Sequence, residues 1–452
     1  MTPQKTIAGV VSDGLCHGCG CCAGSCPVGA IRMAADEMRG IFRPVILEDR
    51  CVDCGRCREI CPGREVDFGA LNQAFFGGKP PDPRVGHHRR ILVAHASDAE
   101  VRRTGASGGL VTALLACAME NGRLDGAVVS RMNPEKPFEA ESFLAATTEE
   151  LRSAAGSIYA PTAPGTLLRD VAGRSGRFAF VGLPCQIHGL RKLQLQDERL
   201  RRQVPLVFGL MCSNTTTGAG TEYFLRRWGI RREEVQSLRF REEGWLSNYN
   251  MRVRLKDGRT VRIPRAGSPE GTPRSSRLHN AVYHFDFVMP RCLFCLDHVA
   301  ELADISFGDP RLPALARPDS PGESLLIVRG EEGERLLDLA VAQGRIEQSP
   351  SLDVTTFRRA QSMSFKLAAP GRIRAWRRLG RAVPSYPEAG CDGDAPVSRL
   401  ALAAYGASFF SGDPCWRWLV RPYAAVRFGL KWVTWASSRA WARVHRKGRR
   451  TC

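Results

Sequence analysis

Eight cysteines near the start of the chain are spaced for iron. Cys16, Cys19, Cys22 and Cys26, followed by Pro27, spell C-x2-C-x2-C-x3-C-P, and Cys51, Cys54, Cys57 and Cys61, followed by Pro62, repeat the pattern. A cubane cluster needs four thiolates converging on its irons. The C-x2-C-x2-C loop wraps three around one cluster, and the fourth cysteine of each run ligates the other. This spacing predicts two [4Fe–4S] clusters, one on Cys16, Cys19, Cys22 and Cys61, the second on Cys51, Cys54, Cys57 and Cys26. Cys21 is left over as a non-ligand. Zinc sites favour two pairs of ligands, not two identical runs of four, and the proline after each last cysteine also fits the iron–sulfur pattern.

Four further cysteines stand in chemically suggestive places. Cys185 lies in VGLPCQIHGL and Cys212 in FGLMCSN, each just after a strand-like run, while Cys292 and Cys295 form a C-x2-C pair. Ligands gather at the carboxyl ends of strands in open α/β sheets. The four could converge on a third cubane, or they could be buried structural thiols, since free cysteine is among the most buried residue types. Cys117 sits in an apolar helical run and reads as core; Cys391, Cys415 and Cys452 have no partner in sequence.

The turn TGASGGL (104–110) lies between a strand and a helix. Small residues there let backbone N–H groups approach an anion at a helix N-terminus. It is neither GxGxxG nor a Walker A sequence, so no NAD or ATP motif is present. His188, just past Cys185, reads as a packed histidine or as an acid for a protonated acceptor.

Several elements must hold these groups. Residues 67–90 are rich in glycine and proline without a period and read as a linker. ILVAH, GAVVS, RFAFVG and VPLVFGLM read as strands, with helical spacing at 109–120 and 222–228 between or after them, which predicts an α/β domain. The period-two stretch 249–264 around Asp257-Gly258 predicts a hairpin; ADISFGD and LLIV read as strands and Glu331–Ala342 as a helix. The expected organisation is a ferredoxin-like α+β module at 1–66, the linker, an α/β domain at 91–370 (91–200 and 201–370) with an added hairpin, and a helical extension at 371–452.

Composition narrows the setting. Nine of the 17 cysteines fall within the first 61 of 452 residues, and no apolar signal-peptide core precedes them. No stretch is apolar for long enough to predict a membrane-spanning helix. A cytoplasmic setting with reduced, metal-binding thiols is expected. The net charge is +19, and ten Lys or Arg with no Asp or Glu occupy residues 416–452, so subtracting ten leaves +9 for the rest. That tail holds five of the eight tryptophans, with basic residues at 427, 431, 439, 443, 446 and 450 near helical spacing. It fits an amphipathic helix lying on an anionic membrane at the inner face, or a helix docked on the protein with solvated arginines. No nucleic-acid motif accompanies the charge, which argues against a nucleic-acid partner.

The order of motifs resembles the coenzyme F420 hydrogenase/dehydrogenase beta-subunit family. It runs from the two-cluster module through S-G-G (107–109), G-S-x-Y (Gly156, Ser157, Tyr159), G-x-P-C-Q (182–186) and G-L-x-C (209–212) to C-x2-C (292–295) and A-D-I-S-F-G-D (303–309). The resemblance covers roughly residues 12–330. It implies an iron–sulfur flavoprotein with FAD in the α/β domain and a cubane nearby. Electrons would pass between the ferredoxin module, that cluster and the flavin, and the flavin would exchange a hydride with an organic acceptor. The acceptor is a deazaflavin coenzyme in the founding members and a tetrapyrrole in relatives. Carried over, Ser107, Gly108 and Gly109, then Ser157 and Tyr159, become flavin contacts, and Cys185, Cys212, Cys292 and Cys295 third-cluster ligands. Asp304 and Asp309 receive no role. Leu183 stands where threonine is usual, and the C-terminal extension is long, so substrate and partner can differ. A redox partner protein or ferredoxin is implied. The readings to separate are a flavin oxidoreductase, a non-catalytic, flavin-free electron-relay subunit of a larger redox or polysaccharide-biosynthesis complex, and a scaffold in a membrane-associated biosynthetic complex whose clusters are structural; bound flavin and redox-active clusters discriminate them.

Overall fold

A computed structural model describes residues 5–37, 40–241, 250–264, 271–315, 322–361 and 363–387. The tail at 416–452, with Cys391, Cys415 and Cys452, lies outside the described residues.

The doubled cysteine run folds into two matching loops. In each, a glycine in the left-handed region starts a four-residue helix: Gly20 (φ 83°) before Cys21–Gly24, and Gly55 (φ 77°) before Arg56–Glu59. Two residues earlier, Gly18 (φ 72°) and Asp53 (φ 53°) again share a left-handed backbone. Aspartate tolerates that conformation, but a Cβ at Gly18 would stand 2.7 Å from the Phe42 carbonyl oxygen, so only the second copy can carry a side chain there. Between the loops, β1 (Ile31–Asp36) and β2 (Ile41–Ile46) form an antiparallel pair, Ile31 opposite Ile46.

The segment read as a linker begins with a helix, Phe68–Phe76. Asp67 caps it by accepting from the Ala70 N–H, and Leu71 and Asn72 are buried. The glycines and prolines beyond it obscure the apolar spacing of Phe68, Leu71, Phe75 and Phe76.

The remaining strands are β3 (Arg90–Ala96), β4 (Gly126–Met132), β5 (Ala140–Ala145), β6 (Phe178–Gly182), β7 (Leu206–Leu210), β8 (Val235–Arg239), β9 (Asn250–Leu255), β10 (Thr260–Pro264), β11 (Ile305–Gly308), β12 (Ser324–Val328) and β13 (Ile346–Gln348). Eight of them form one sheet in the order β13-β3-β12-β11-β7-β6-β4-β5. Its centre, β11-β7-β6-β4, is parallel, with β5 and β12 antiparallel beside it. The predicted α/β architecture is present, and β9-β10-β8 form the separate sheet that contains the predicted hairpin.

Central strands are buried on both faces, as parallel strands are. Ala127, Val129, Ala179 and Phe208 pack with Leu114 and Ala118 of helix Leu110–Glu120 and Leu337 of helix Glu331–Ala342. Val128, Phe178, Phe180 and Val207 face the other way, into a core shared with Ile187, Leu190 and Leu193 of helix Pro184–Gln196 and with Ile7, Ile60 and Leu71 of the N-terminal module. The module and the sheet therefore share one hydrophobic core.

Cys21 explains how closely they meet. It is fully buried, and its thiol donates to the Gln186 carbonyl at 3.6 Å. A Cβ at Gly189, one turn along the same helix as Cys185, would stand 2.5 Å from its sulfur. A Cβ at Gly24 would stand 2.0 Å from the Gly165 carbonyl oxygen. Beyond residue 368 the chain returns to this core: Ile373 and Trp376 of helix Ala369–Arg378 and Tyr386 are buried in it.

Gly189→Ala is expected to destabilise the protein by about 1–3 kcal/mol, the range for an overpacked core, read as a lower urea midpoint. Adding Cys21→Ala should recover part of the loss, because the offending sulfur is gone. Full stability of the single variant would show that the helix and module do not meet this tightly.

Candidate iron–sulfur and edge site

The twelve predicted ligands fall into three groups, all buried or half-buried except the exposed Cys54. Cys61, from the second loop, stands with Cys16, Cys19 and Cys22 of the first. Burial pushes the Cys16 thiol up to about 12, aided by Cys61 and then Cys19. Cys22 is held well above its ordinary value by burial, then by Cys19, Cys61, Cys16 and Cys57. Burial and Cys19 push Cys61 up to about 11. Cys26 crosses the other way. It lines one cavity with Cys51, Cys54 and Cys57, next to Pro27 and Val52, and after burial Cys54 and Cys26 are the thiols that raise Cys57.

The other four converge from three parts of the sheet domain. Cys185 enters at the first turn of helix Pro184–Gln196, directly after β6, with Pro184 fixing the entry. Cys212 follows β7, held by its N–H donating to the His298 carbonyl at 2.9 Å. Cys292 lies on the 3-10 helix Pro290–Phe294, and Cys295 follows it. Burial raises Cys185 well above its ordinary value, followed by Cys19, Cys295, Cys292 and Cys212. Burial also pushes Cys212 up to about 12. Cys185 thus adjoins both its own group and Cys19 of the first, while Cys22 of the first adjoins Cys57 of the second.

These sets fit cubane clusters. Buried thiols that oppose one another's ionisation stay protonated unless a metal centre supplies positive charge, and a coordinating thiol then loses its proton outright. Sulfur acceptors already have donors: Gly18 N–H to Cys16 Sγ at 3.3 Å and Ala30 N–H to Cys26 Sγ at 3.2 Å. Such bonds tune iron–sulfur potentials. Among the described residues no three His, Cys, Asp or Glu side chains meet as tightly as one metal ion requires.

Two buried cations that the spacing arguments missed complete the electrostatics. Arg291, 1% exposed, donates to the carbonyls of Gly63 (2.9 Å) and Pro62 (3.2 Å) and to Tyr386 Oη (3.0 Å), and its charge faces Cys295 and Cys61. Its place beside Cys292 was the available signal. Lys366, 4% exposed, faces Cys295, Cys212 and Cys292, and no sequence pattern pointed to it. His17 lies near Arg291, His188 and Lys366; burial, then Arg291 foremost among these neighbours, holds it well below its ordinary pKa and so neutral. His188 is packed, as one expectation had it, and pairs with Asp297 at 2.9 Å, both side chains nearly inaccessible. Burial works to raise Asp297, but His188 and the Glu301 N–H outweigh it and hold the carboxyl below its usual range.

The glycine-rich turn reaches the same edge of the sheet. Ser107 donates to Asp309, at the end of β11, and Arg241 donates to both Asp309 oxygens at 3.1 Å. Arg239, at the end of β8, donates to the Thr104 carbonyl at 2.8 Å. Tyr159 packs edge-on to Phe240 (5.5 Å), and Ser157 is half-buried nearby in sequence. The glycines serve the fold directly. Gly108 N–H donates to Ser324 Oγ at 2.9 Å, and a Cβ there would stand 2.7 Å from the Ala94 carbonyl oxygen. Gly109 (φ 73°) would place a Cβ 2.5 Å from the Val101 carbonyl oxygen. The backbone conformation needed at this turn is therefore set by its own strand and helix. Asp304 is structural: its carboxylate accepts from Arg191 at 3.0 Å and from the Val207 N–H at 2.7 Å.

Three family models match the chain. Residues 175–353 match the C-terminal part of the beta chain of coenzyme F420 hydrogenase/dehydrogenase, residues 91–169 match the N-terminal part of the same protein, and residues 15–64 match a 4Fe-4S dicluster domain. The chain is 28% identical over 278 residues to the coenzyme F420 hydrogenase subunit beta of Methanothermobacter thermautotrophicus, covering 60% of this chain and 87% of that one. It is 29% identical over 345 residues to the coenzyme F420-dependent sulfite reductase of Methanocaldococcus jannaschii, 72% of this chain but 46% of that protein. It also resembles one chain of the F420-reducing [NiFe] hydrogenase complex from Methanosarcina barkeri, with a TM-score of 0.51 and 23% identity over 68% of this chain and 99% of that one, a likeness of fold.

Gly109→Ala is expected to cost about 1–3 kcal/mol through left-handed strain and overpacking, seen as a lower urea midpoint, whether or not a flavin is added. Ser107→Ala should keep the wild-type midpoint within about 1 kcal/mol, the net worth of one hydrogen bond. Equal loss in both would mean that the hydroxyl, and not the glycine backbone, holds the turn.

Proposed function

Because the chain belongs to the coenzyme F420 hydrogenase/dehydrogenase beta-subunit family and carries a 4Fe-4S module, we propose that it is an iron–sulfur flavin oxidoreductase exchanging a hydride with an organic acceptor of the deazaflavin class. Cys16, Cys19, Cys22 and Cys61 would hold one [4Fe–4S] cluster, Cys51, Cys54, Cys57 and Cys26 a second, and Cys185, Cys212, Cys292 and Cys295 a third. Bound clusters supply reversible one-electron transfer, and a bound FAD supplies hydride chemistry.

The observation that carries this reading is electrostatic proximity: Cys19 is among the thiols that raise Cys185, and Cys57 among those that raise Cys22. It supports arranging the three groups in one series, from the exposed Cys54 inward to the end of β6. The chain's own residues keep that series dry: Cys19, Cys22, Cys61, Cys292 and Cys295 are all buried. Ser107, Gly108 and Gly109, with Ser157 and Tyr159, would border the flavin at the neighbouring edge, where Arg241 and Asp309 fix the turn. Relatives named for coenzyme F420 support the deazaflavin class, and the likeness to a chain of a hydrogenase complex supports a redox partner protein or ferredoxin. No described helix is long and apolar enough to cross a membrane. A cytoplasmic protein touching an anionic membrane through residues 416–452 accords with the charge of that tail.

A second reading is a flavin-free relay protein. It is favoured by the turn, whose glycines are needed by the protein's own backbone.

Protein purified anaerobically should contain about twelve irons, four per cluster, and release FAD on denaturation. Full iron with neither bound nor bindable flavin would leave the relay. A count near eight would remove the third cluster. Cys26→Ser should alter the paramagnetic signal of the cluster on Cys51, Cys54 and Cys57 and spare that on Cys16, Cys19 and Cys22; the reverse would show that the runs do not cross.

A further inference from the structure

β8, β9 and β10 form a three-stranded sheet that carries none of the cysteines. Its inner face is apolar: Val235, Leu238, Met251, Val253, Leu255 and Ile263 are buried in one core. Its outer face is basic. The three strands carry four arginines and no Asp or Glu. The antiparallel register sets three of the four side by side, Arg262 opposite Arg252 and Arg252 opposite Arg239. Like charges directly opposite one another destabilise a sheet. The fourth, Arg254, lies between two hydroxyl residues, Thr260 and Ser237. Ion pairs flank the strands: Arg231 with Glu234 at 3.1 Å, and Arg259 with Asp257 at 2.7 Å.

The arginine row has a direction. Arg262 is exposed, whereas Arg252 and Arg239 are half-buried. Arg239 donates to the Thr104 carbonyl at 2.8 Å. A Cβ on Gly156 would stand 3.9 Å from the Arg239 guanidinium and 3.9 Å from that same carbonyl oxygen. The row therefore runs from open surface to the junction of the turn 104–110 with the segment at Gly156. Two strand spacings give it a length of about 10 Å.

We propose that the outer face of this sheet binds an extended small-molecule polyanion, its phosphate or carboxylate groups lying along Arg262, Arg252 and Arg239 and one end reaching the turn 104–110. Guanidinium groups pair two-pronged with either kind of anion. A bound polyanion offsets the repulsion that the register builds in. The dimensions select the size class. A single row about 10 Å long, running into half-buried positions, fits a short chain of charges, whereas an acidic protein face or a nucleic-acid duplex engages a wider exposed area. The site is independent of the cluster and flavin assignments, and its binding is measurable whether or not either holds.

The test is calorimetric titration of anaerobically purified full-length protein with inorganic tripolyphosphate and, separately, with a tri-aspartate peptide; the two arms distinguish phosphate from carboxylate. Wild-type protein should bind at least one of these probes. Arg252→Gln should weaken that binding about tenfold, the worth of one charge-assisted contact. Without the anion, its urea midpoint should equal or exceed that of the wild type, because an opposed charge is gone. The net charge of the chain is +19, so general attraction needs a control. Arg259→Gln removes one charge at the hairpin turn and should bind as the wild type does. Arg252→Lys, which keeps the charge without the planar fork, should fall between wild type and Arg252→Gln. Binding of neither probe, or equal affinity in Arg252→Gln and Arg259→Gln, overturns the proposal. Lost binding in Arg252→Gln with a lowered urea midpoint also overturns it, since the arginine would then be holding the sheet and not a ligand.

Discussion

Crowded, buried sulfur is the constraint from which the rest of the structure follows. Cys16, Cys22, Cys61, Cys185 and Cys212 are each driven upward by burial first and by neighbouring thiols next. Such a set cannot ionise unaided, and positive charge has to be brought to it. The protein brings some of its own in Arg291 and Lys366, and in the N-terminal module the 4Fe-4S motif brings more as iron. Around this arrangement the backbone is arranged as a donor: the N–H groups of Gly18 and Ala30 point at sulfur.

That constraint explains why the N-terminal module is not a separate bead on a string. The module and the sheet domain are held close by glycine. Gly24, Gly165 and Gly189 each leave space that a methyl group would fill against the opposite element. Cys21, which binds nothing in the proposed scheme, fills the gap against Gly189 with its sulfur. The helix Pro184–Gln196 does double service: its first turn presents Cys185, and its next turns carry the buried residues against which the module packs.

Much of this was legible in the residues, for identifiable reasons. The cysteine spacing predicted the crossed groups because a short loop can wrap a cubane in few ways, and Cys61 does stand with Cys16, Cys19 and Cys22. The helix Glu331–Ala342 and the hairpin at Gly258 were readable from local periodicity and turn chemistry. Long-range charge was not. Lys366 is 71 residues beyond Cys295 with nothing in between to mark it, and Asp297 gave no sign that it would meet His188. The turn TGASGGL was read as a place for phosphate because small residues permit close approach. Close approach is used here by the protein's own backbone at Ala94 and Val101, which accounts for the small residues whether or not a phosphate is bound. Sequence carries the permission for a close contact and not the identity of what comes close.

Arg291 has a consequence for the time at which the protein can be finished. Its guanidinium joins the Pro62 and Gly63 carbonyls to a phenol 95 residues further along the chain. Domains are made from the N-terminus onward, at about 5–20 residues each second. The module's cysteines therefore leave the ribosome long before Tyr386 exists, and the buried cation between the first and third groups lacks its last partner until synthesis has passed that point. Maturation by iron thus has a window with the cysteines present and the seal not yet made, and the window closes from the C-terminal side.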